Sequence, residues 1–114
     1  MNLILFIILL HYIADWGLQT TFVAENKGKY IDIMFAHCMV WAGVISIGLL
    51  IADRFTLVKF LFLFAGHFTM DTFKMRKIQY PCSNRQEDES RNIKLLRIDQ
   101  AVHIIQCCLV ALLP

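Results

Sequence analysis

The chain has 114 residues, of which 58% are hydrophobic and 18% are charged, and its mean hydropathy is +0.58. A soluble domain is usually about 45–50% apolar and about 25% charged, so this composition excludes a disordered chain and a secreted disulfide scaffold. The net charge of only +2 excludes a nucleic-acid binder, because it provides no basic surface for a phosphate backbone. The length suits one domain, and the composition predicts a small integral membrane protein.

Four apolar runs are long enough to cross a bilayer core of ~30 Å, which needs roughly 20 helical residues. The predicted spans cover about residues 1–19, 31–52, 55–75 and 95–113. The stretch at about 76–94 is predicted to be a solvated cytoplasmic loop, because it contains Pro81 and the charged run QEDE. The predicted fold is an all-α, integral membrane four-helix bundle that forms one transmembrane domain over 1–114.

The placement of lysine and arginine predicts the orientation in the membrane. Of the 11 basic residues, all but Arg54 and Lys59 lie in or beside the first and third connections. These two connections are therefore expected in the cytoplasm and both chain termini outside it. The predicted location is the inner membrane of a bacterium, with the site described next facing the cytoplasm.

The apolar runs contain all 4 histidines, one in each predicted span, together with three aspartates. Each aspartate is four residues from a histidine, in the pairs His11–Asp15, His67–Asp71 and Asp99–His103. Residues four apart share a helix face, so each pair is expected to direct an imidazole and a carboxylate toward one point. In the predicted topology each aspartate lies on the cytoplasmic side of its histidine, and His37 of the second span lies near the same layer.

A divalent metal ion would account for these buried polar groups. An ionised carboxylate in hydrocarbon costs several kcal/mol unless it is compensated, and no lysine or arginine is expected deep enough to neutralise three of them. Zinc accepts histidine nitrogen and aspartate oxygen, with manganese or iron as alternatives, and the set is large enough for one ion or two. The predicted metal ligands are His11, Asp15, His37, His67, Asp71, Asp99 and His103.

Two other interpretations of the same residues stay open. Histidine and aspartate chains also form proton or metal-ion relays in transporters, and polar pairs between helices can be a structural clasp or a structural metal site. The outer halves of the predicted spans are almost wholly apolar, as in MNLILFIILL at the start of the chain. This one-sidedness favours a site open to the cytoplasm over a path through the membrane.

Several motifs along the chain resemble those of an uncharacterised family of small bacterial and phage polytopic membrane proteins. They are HYIADWGLQ, NK at 26–27, the lone His37, HFTMDTFK and DQAVH, which match the family's H-x3-D-x2-L-Q, N-K, H, H-x3-D-x2-K and D-Q-x2-H. The resemblance covers nearly the whole chain outside 76–94, and it implies no assigned activity. More distantly the chain is similar to membrane-bound metal-dependent hydrolases, which implies helices that present histidine and aspartate to a metal.

The residues around the predicted metal site suit hydrolysis. A bound metal lowers the pKa of a water molecule and makes it a nucleophile. Asp71 and Asp99 are the candidate catalytic residues that would take the proton. Gln19 and Lys74 lie about one helical turn toward the cytoplasm, and Lys27 could join them, so these three are predicted to bind an anionic substrate oxygen.

The sequence therefore predicts a membrane-embedded, metal-dependent hydrolase with zinc as its first candidate metal. The expected substrate is a phosphoester or another phosphate-containing molecule at the cytoplasmic interface, either a lipid phosphate or a nucleotide. The expected partners are the lipid bilayer and this substrate, with no nucleic acid, and a homo-oligomer stays open.

Overall fold

Helices follow the apolar runs of the sequence. The computed structural model describes residues 2–77 and 85–114, with side chains described over 2–75 and 92–114. Its five α-helices are α1 (Leu3–Tyr12), α2 (Thr21–Asn26), α3 (Ile31–Ile51), α4 (Leu57–Lys77) and α5 (Arg85–Leu112). The prediction of an all-α bundle is confirmed for the described residues.

A π-helical turn at Ile13–Gly17 continues α1. In this turn the backbone N–H of Leu18 donates to the carbonyl of Ile13, five residues earlier, at 2.9 Å. This hydrogen bond closes a larger backbone ring than that of an α-helix and so changes the angular spacing of the side chains. Turns of this kind are frequent at functional sites. Asp15 lies inside the turn, so His11 and Asp15 are not separated by one turn of regular α-helix.

Two helical stretches lie outside the predicted spans. Helix α2 occupies the first predicted connection, where the Thr20 hydroxyl accepts the backbone N–H of Val23 at 3.2 Å and caps the helix. Helix α5 begins at Arg85 instead of at about 95, since the intervening sequence contains several strong helix formers. The part of the predicted loop that contains Pro81 lies outside the described residues.

The four longer helices surround one common axis. Helix α1 packs against α3 and α5, and α4 packs against the same two helices. Apolar side chains of all four fill one half of the interior, and this apolar core consists of Ile7, Ala14, Trp41, Ala42, Ile45, Leu49, Leu63, Cys107, Val110 and Ala111. The other half of the interior is polar and contains the candidate site.

Within the described residues, Ile31–Ile51 and Asn92–Leu112 are long and apolar enough to cross a membrane. These two properties are length and composition alone, and the buried core helix of a soluble protein can have both. Leu3–Gly17 is apolar but shorter, and α4 carries Lys59, Asp71 and Lys74 within its apolar sequence. The predicted spans at 1–19 and 55–75 therefore stay predictions.

Candidate metal centre

The polar half of the interior contains six buried histidine and aspartate side chains from four segments of the chain. Asp15 comes from the π-helical turn, His37 from α3, His67 and Asp71 from α4, and Asp99 and His103 from α5. We call these six residues the His–Asp cluster. The seventh predicted ligand, His11, is also buried beside the cluster.

Four members of the cluster surround one point. Asp15, His37, His67 and Asp71 form a group whose ligand atoms all lie within 4.8 Å of one another. The Nε2 atom of His37 lies 3.1 Å from His67 Nε2, 3.2 Å from Asp71 Oδ2 and 3.4 Å from Asp15 Oδ1. The distances from His67 Nε2 to the same two carboxylates are 3.5 Å and 3.9 Å. Ligand atoms around a tetrahedral zinc ion are roughly 3.4 Å apart, so these four atoms have the spacing of a zinc site.

A second group combines Asp15 with Asp99 and His103, again with ligand atoms within 4.8 Å of one another. His103 Nε2 lies 2.9 Å from Asp99 Oδ1, but the two atoms are not aligned as a hydrogen bond. The short distances within the pairs His67–Asp71 and Asp99–His103 show that the two members of each pair share a helix face, as the sequence predicts. Asp15 belongs to both groups.

The cluster also accounts for most of the buried polar atoms that lack a hydrogen bond in the described part of the chain. Five of those eight atoms are His67 Nδ1, Asp71 Oδ1, Asp99 Oδ1, His103 Nδ1 and His103 Nε2. A buried polar atom without a partner destabilises the fold by about 1–3 kcal/mol. Nitrogen and oxygen donors of this kind are those that zinc prefers, so the chemistry of the cluster fits a bound metal ion.

Two lysines reach the cluster, which corrects the expectation that no lysine lies deep enough to compensate the aspartates. Lys27 and Lys74 are only 5% and 7% exposed. The ammonium group of Lys27 donates to Asp71 Oδ2 at 2.8 Å, and that of Lys74 donates to Asp99 Oδ2 at 2.9 Å. The long lysine side chain lets a charge near a helix end reach inward. Two ammonium groups still leave one of the three carboxylates uncompensated.

His11 is held by protein partners on both ring nitrogens. The indole N–H of Trp41 donates to His11 Nδ1 at 3.0 Å, and His11 Nε2 lies 2.9 Å from Gln100 Oε1. An indole can only donate, so His11 carries its proton on Nε2 and donates it to Gln100. The side-chain amide of Gln100 then donates to Asp15 Oδ2 at 2.9 Å and to Asp99 Oδ2 at 3.2 Å. His11 thus supports the cluster through Gln100 and is absent from both candidate ligand groups.

Trp41 is the member of the apolar core that contacts the cluster. Its fully buried ring stacks on His67 with centroids 4.2 Å apart, and it also contacts His103 at 5.4 Å and His11 at 5.7 Å. Sequence reasoning missed the role of Trp41. One signal was available, because tryptophan in a membrane protein usually lies at the interface and Trp41 lies near the middle of a predicted span.

Two adjoining cavities lie at the end of the bundle where the lysines lie. The larger cavity, about 810 Å³, is lined by Gln19, by charged side chains that include Lys27 and Lys74 as well as Glu25 and Lys29, and by apolar side chains that include Ile93 and Leu96. A smaller cavity of about 250 Å³, which we call the neck, shares Gln19, Lys27, Lys74 and Leu96 with the larger one and borders one member of the cluster, Asp15, together with Gln100. Gln19 accepts a hydrogen bond from Lys27 at 2.9 Å. All three predicted substrate-binding residues therefore line both cavities.

A family model described as "Protein of unknown function (DUF3307)" matches residues 3–113. The chain belongs to this family. The match covers nearly the whole chain, so the resemblance to an uncharacterised family is confirmed, and the DUF3307 chain carries a buried His–Asp cluster that could hold a metal ion. No curated protein and no solved structure matches it.

Proposed function

We propose that this DUF3307 protein is a metal-dependent hydrolase embedded in the inner membrane of a bacterium. Its substrate would be a phosphoester or another phosphate-containing molecule that reaches the site from the cytoplasmic side. The observation that carries the proposal is the position of Asp15, because this member of both ligand groups borders the neck, which Lys27 and Lys74 also line. A purely structural metal clasp needs no such access.

The distribution of polarity supports insertion in a membrane. Charged and polar side chains such as Asp71, Asp99 and His103 are fully buried, whereas Leu5, Ile47 and many other large apolar side chains are exposed on the helix surfaces. Water-soluble monomers rarely expose large contiguous apolar surfaces, while intramembrane ionisable residues face the bundle interior. The excess of lysine and arginine in the connections that flank the cluster supports a cytoplasmic position for this end.

The His–Asp cluster would hold the metal, with zinc as the first candidate and manganese or iron as alternatives. A bound metal would polarise the substrate and activate a water molecule for attack. In the hydrolysis, a bond forms between the water oxygen and phosphorus, and the bond from phosphorus to the leaving oxygen breaks. One water proton passes to a carboxylate, and the leaving oxygen takes up a proton. Asp71 and Asp99 are the candidate acceptors. Oδ1 of Asp71 lies 3.2 Å from Lys74 Nζ and Oδ1 of Asp99 lies 2.9 Å from His103 Nε2, and neither contact is aligned as a hydrogen bond.

The charge of the site favours an anionic substrate. Three carboxylates and two ammonium groups leave a net charge of −1 when the histidines are neutral, and one divalent ion changes this to +1. Lys27, Lys74 and Gln19 lie along the neck, where their donors could hold phosphate oxygens. The apolar wall formed by Met75, Ile93 and Leu96 suits a lipid phosphate, and a nucleotide is the soluble alternative.

The relay interpretation is less well supported by the interior beyond the cluster. A transporter needs access from both membrane faces, but Trp41 lies over His67, and Ile45, Leu49 and Leu63 of the apolar core are fully buried. This layer favours a site that opens to one side.

The proposal is tested by phosphate release from the detergent-purified protein after zinc, manganese or chelator treatment. Substrates would be an aryl phosphate, ATP, and phosphatidic acid in mixed micelles. We expect metal-dependent hydrolysis that the chelator abolishes and zinc restores, with the preferred substrate separating lipid from nucleotide. Lys74→Met should raise KM, whereas Lys94→Met, which changes an exposed lysine of α5, should not. Metal-loaded, folded protein that hydrolyses none of the three would contradict the proposal.

A further inference from the structure

We infer that the His–Asp cluster holds two metal ions that share Asp15, and that only the ion on the α5 side has an open coordination position. This inference rests on the proposed metal site. It divides the six residues into a closed four-ligand position, Asp15, His37, His67 and Asp71, and an open three-ligand position, Asp15, Asp99 and His103.

The four-ligand position is complete without substrate. Its four ligand atoms already have tetrahedral spacing, with five of their separations between 3.1 and 3.9 Å. It is enclosed by Trp41, whose ring stacks on His67. Structural zinc sites are typically closed by four protein ligands. An ion at this position would therefore fix the geometry of α3, α4 and the π-helical turn.

The three-ligand position differs in ligand number. Catalytic zinc sites typically have three protein ligands and leave the fourth place to water or substrate. Asp15, which belongs to both positions, borders the neck, and so do Gln100 and Lys74, which both donate to Asp99. The missing fourth ligand therefore assigns the open place to the three-ligand position.

Asp15 is the residue that can join the two ions. Its Oδ1 lies 3.4 Å from His37 Nε2, on the four-ligand side, while its Oδ2 accepts from Gln100, which also donates to Asp99. Paired ions that activate phosphoester hydrolysis lie about 3.5–4 Å apart and are commonly bridged. The hydrogen-bond chain from Trp41 through His11 to Gln100 then makes His11 and Gln100 positioning residues for the bridging carboxylate.

Metal stoichiometry and magnetic coupling test this inference independently of hydrolysis. The detergent-purified protein would be titrated with zinc for stoichiometry and with manganese for electron paramagnetic resonance. We expect two ions per chain and the spectrum of an exchange-coupled manganese pair. His103→Gln should leave one ion with an uncoupled spectrum, and Asp15→Asn should abolish the coupling. Asp32→Asn, an exposed aspartate at the start of α3, should retain two coupled ions.

A wild-type protein that binds fewer than two ions, or two ions without coupling, would overturn the inference. Helix content by circular dichroism shows which variants fold, and wild-type stoichiometry and coupling decide the question if a variant does not. The outcome is separable from that of the proposed function. Two coupled ions without phosphate release would contradict only the hydrolase, and phosphate release with one ion would contradict only the inference.

Discussion

The helices meet through apolar side chains in the half of the bundle around Ile45, Leu49 and Leu63, and through ion pairs and hydrogen bonds in the half around Asp71 and Asp99. Buried lysines also have different hydrogen-bond partners in the two halves. At the apolar end Lys59 donates to two backbone carbonyls, those of Arg54 at 2.9 Å and Leu113 at 2.7 Å, near the ends of α3 and α5. At the polar end lysines bind carboxylates that belong to the His–Asp cluster.

This contrast separates the stability of the bundle from the chemistry of the site. Packing in the apolar half needs no ligand, because it contains few polar atoms that require a partner. The polar half leaves five cluster atoms without a hydrogen bond, so its stability should depend on what binds there. Changes in the apolar half should therefore alter stability and leave metal binding intact, whereas changes in the polar half should alter metal binding and affect stability mainly through the bound metal.

The largest effect is expected for Asp71→Asn, which keeps the shape of the side chain and removes its charge. The substitution removes a metal ligand and a candidate proton acceptor and leaves Lys27, 2.8 Å away, without its anion. The loss of a general base typically costs 10²–10⁴-fold in rate, so phosphate release should fall by about that factor. Asp32→Asn provides the matched exposed control. Full hydrolytic activity in a folded, metal-loaded Asp71→Asn protein would exclude a catalytic role for Asp71.

A smaller effect is expected for Gln100→Leu, which cuts the hydrogen-bond chain between His11 and Asp15. Losing a residue that orients a metal ligand typically lowers metal affinity by about 10–100-fold. Isothermal titration with zinc should show this decrease with little change in the unfolding temperature of the metal-free protein. Gln106→Leu is the control on the same helix, since Gln106 donates to the carbonyl of Phe62 at 3.3 Å, outside the cluster. Equal affinity losses in both variants would argue against a positioning role for Gln100.

The smallest effect is expected for Gly48→Ala in the apolar half. A methyl group there would meet Leu10 and lie 3.3 Å from Ile7, so α1 and α3 should separate slightly at a cost of roughly 1 kcal/mol. Gly43→Ala on the same helix meets nothing within 4 Å and should leave stability unchanged or slightly higher. Thermal unfolding in detergent measures both, and zinc content should match wild type in each. Loss of zinc from Gly48→Ala would contradict the claim that packing in the apolar half is independent of metal binding in the polar half.

The helical fold and the positions of most of the cluster follow from local sequence. Apolar run length predicts the helices, and four-residue spacing predicts that His67 faces Asp71 and that Asp99 faces His103, because α4 and α5 are regular there. His11 and Asp15 are both buried, but they meet through the Gln100 amide and do not share a ligand group. The π-helical turn that contains Asp15 departs from the regular α-helix that sequence periodicity assumes.

The remaining contacts depend on tertiary structure. Lys27 is 44 positions from Asp71 along the chain, and Gln100 is 89 from His11. Helix periodicity carries no information about which side chains of different helices meet. The buried lysines, the Trp41 stack and the support of Asp15 through Gln100 could therefore be found only once the helices were packed.

Elemental analysis of the detergent-purified protein tests the central claim most directly, with wild type measured beside His67→Ala and Asp99→Ala. We expect zinc, manganese or iron bound to wild type at about one equivalent or more, and a lower metal content in both variants while each remains helical. Folded wild-type protein that was never exposed to chelator and contains no such metal would contradict the account. The same His–Asp pairs would then be examined for proton coupling.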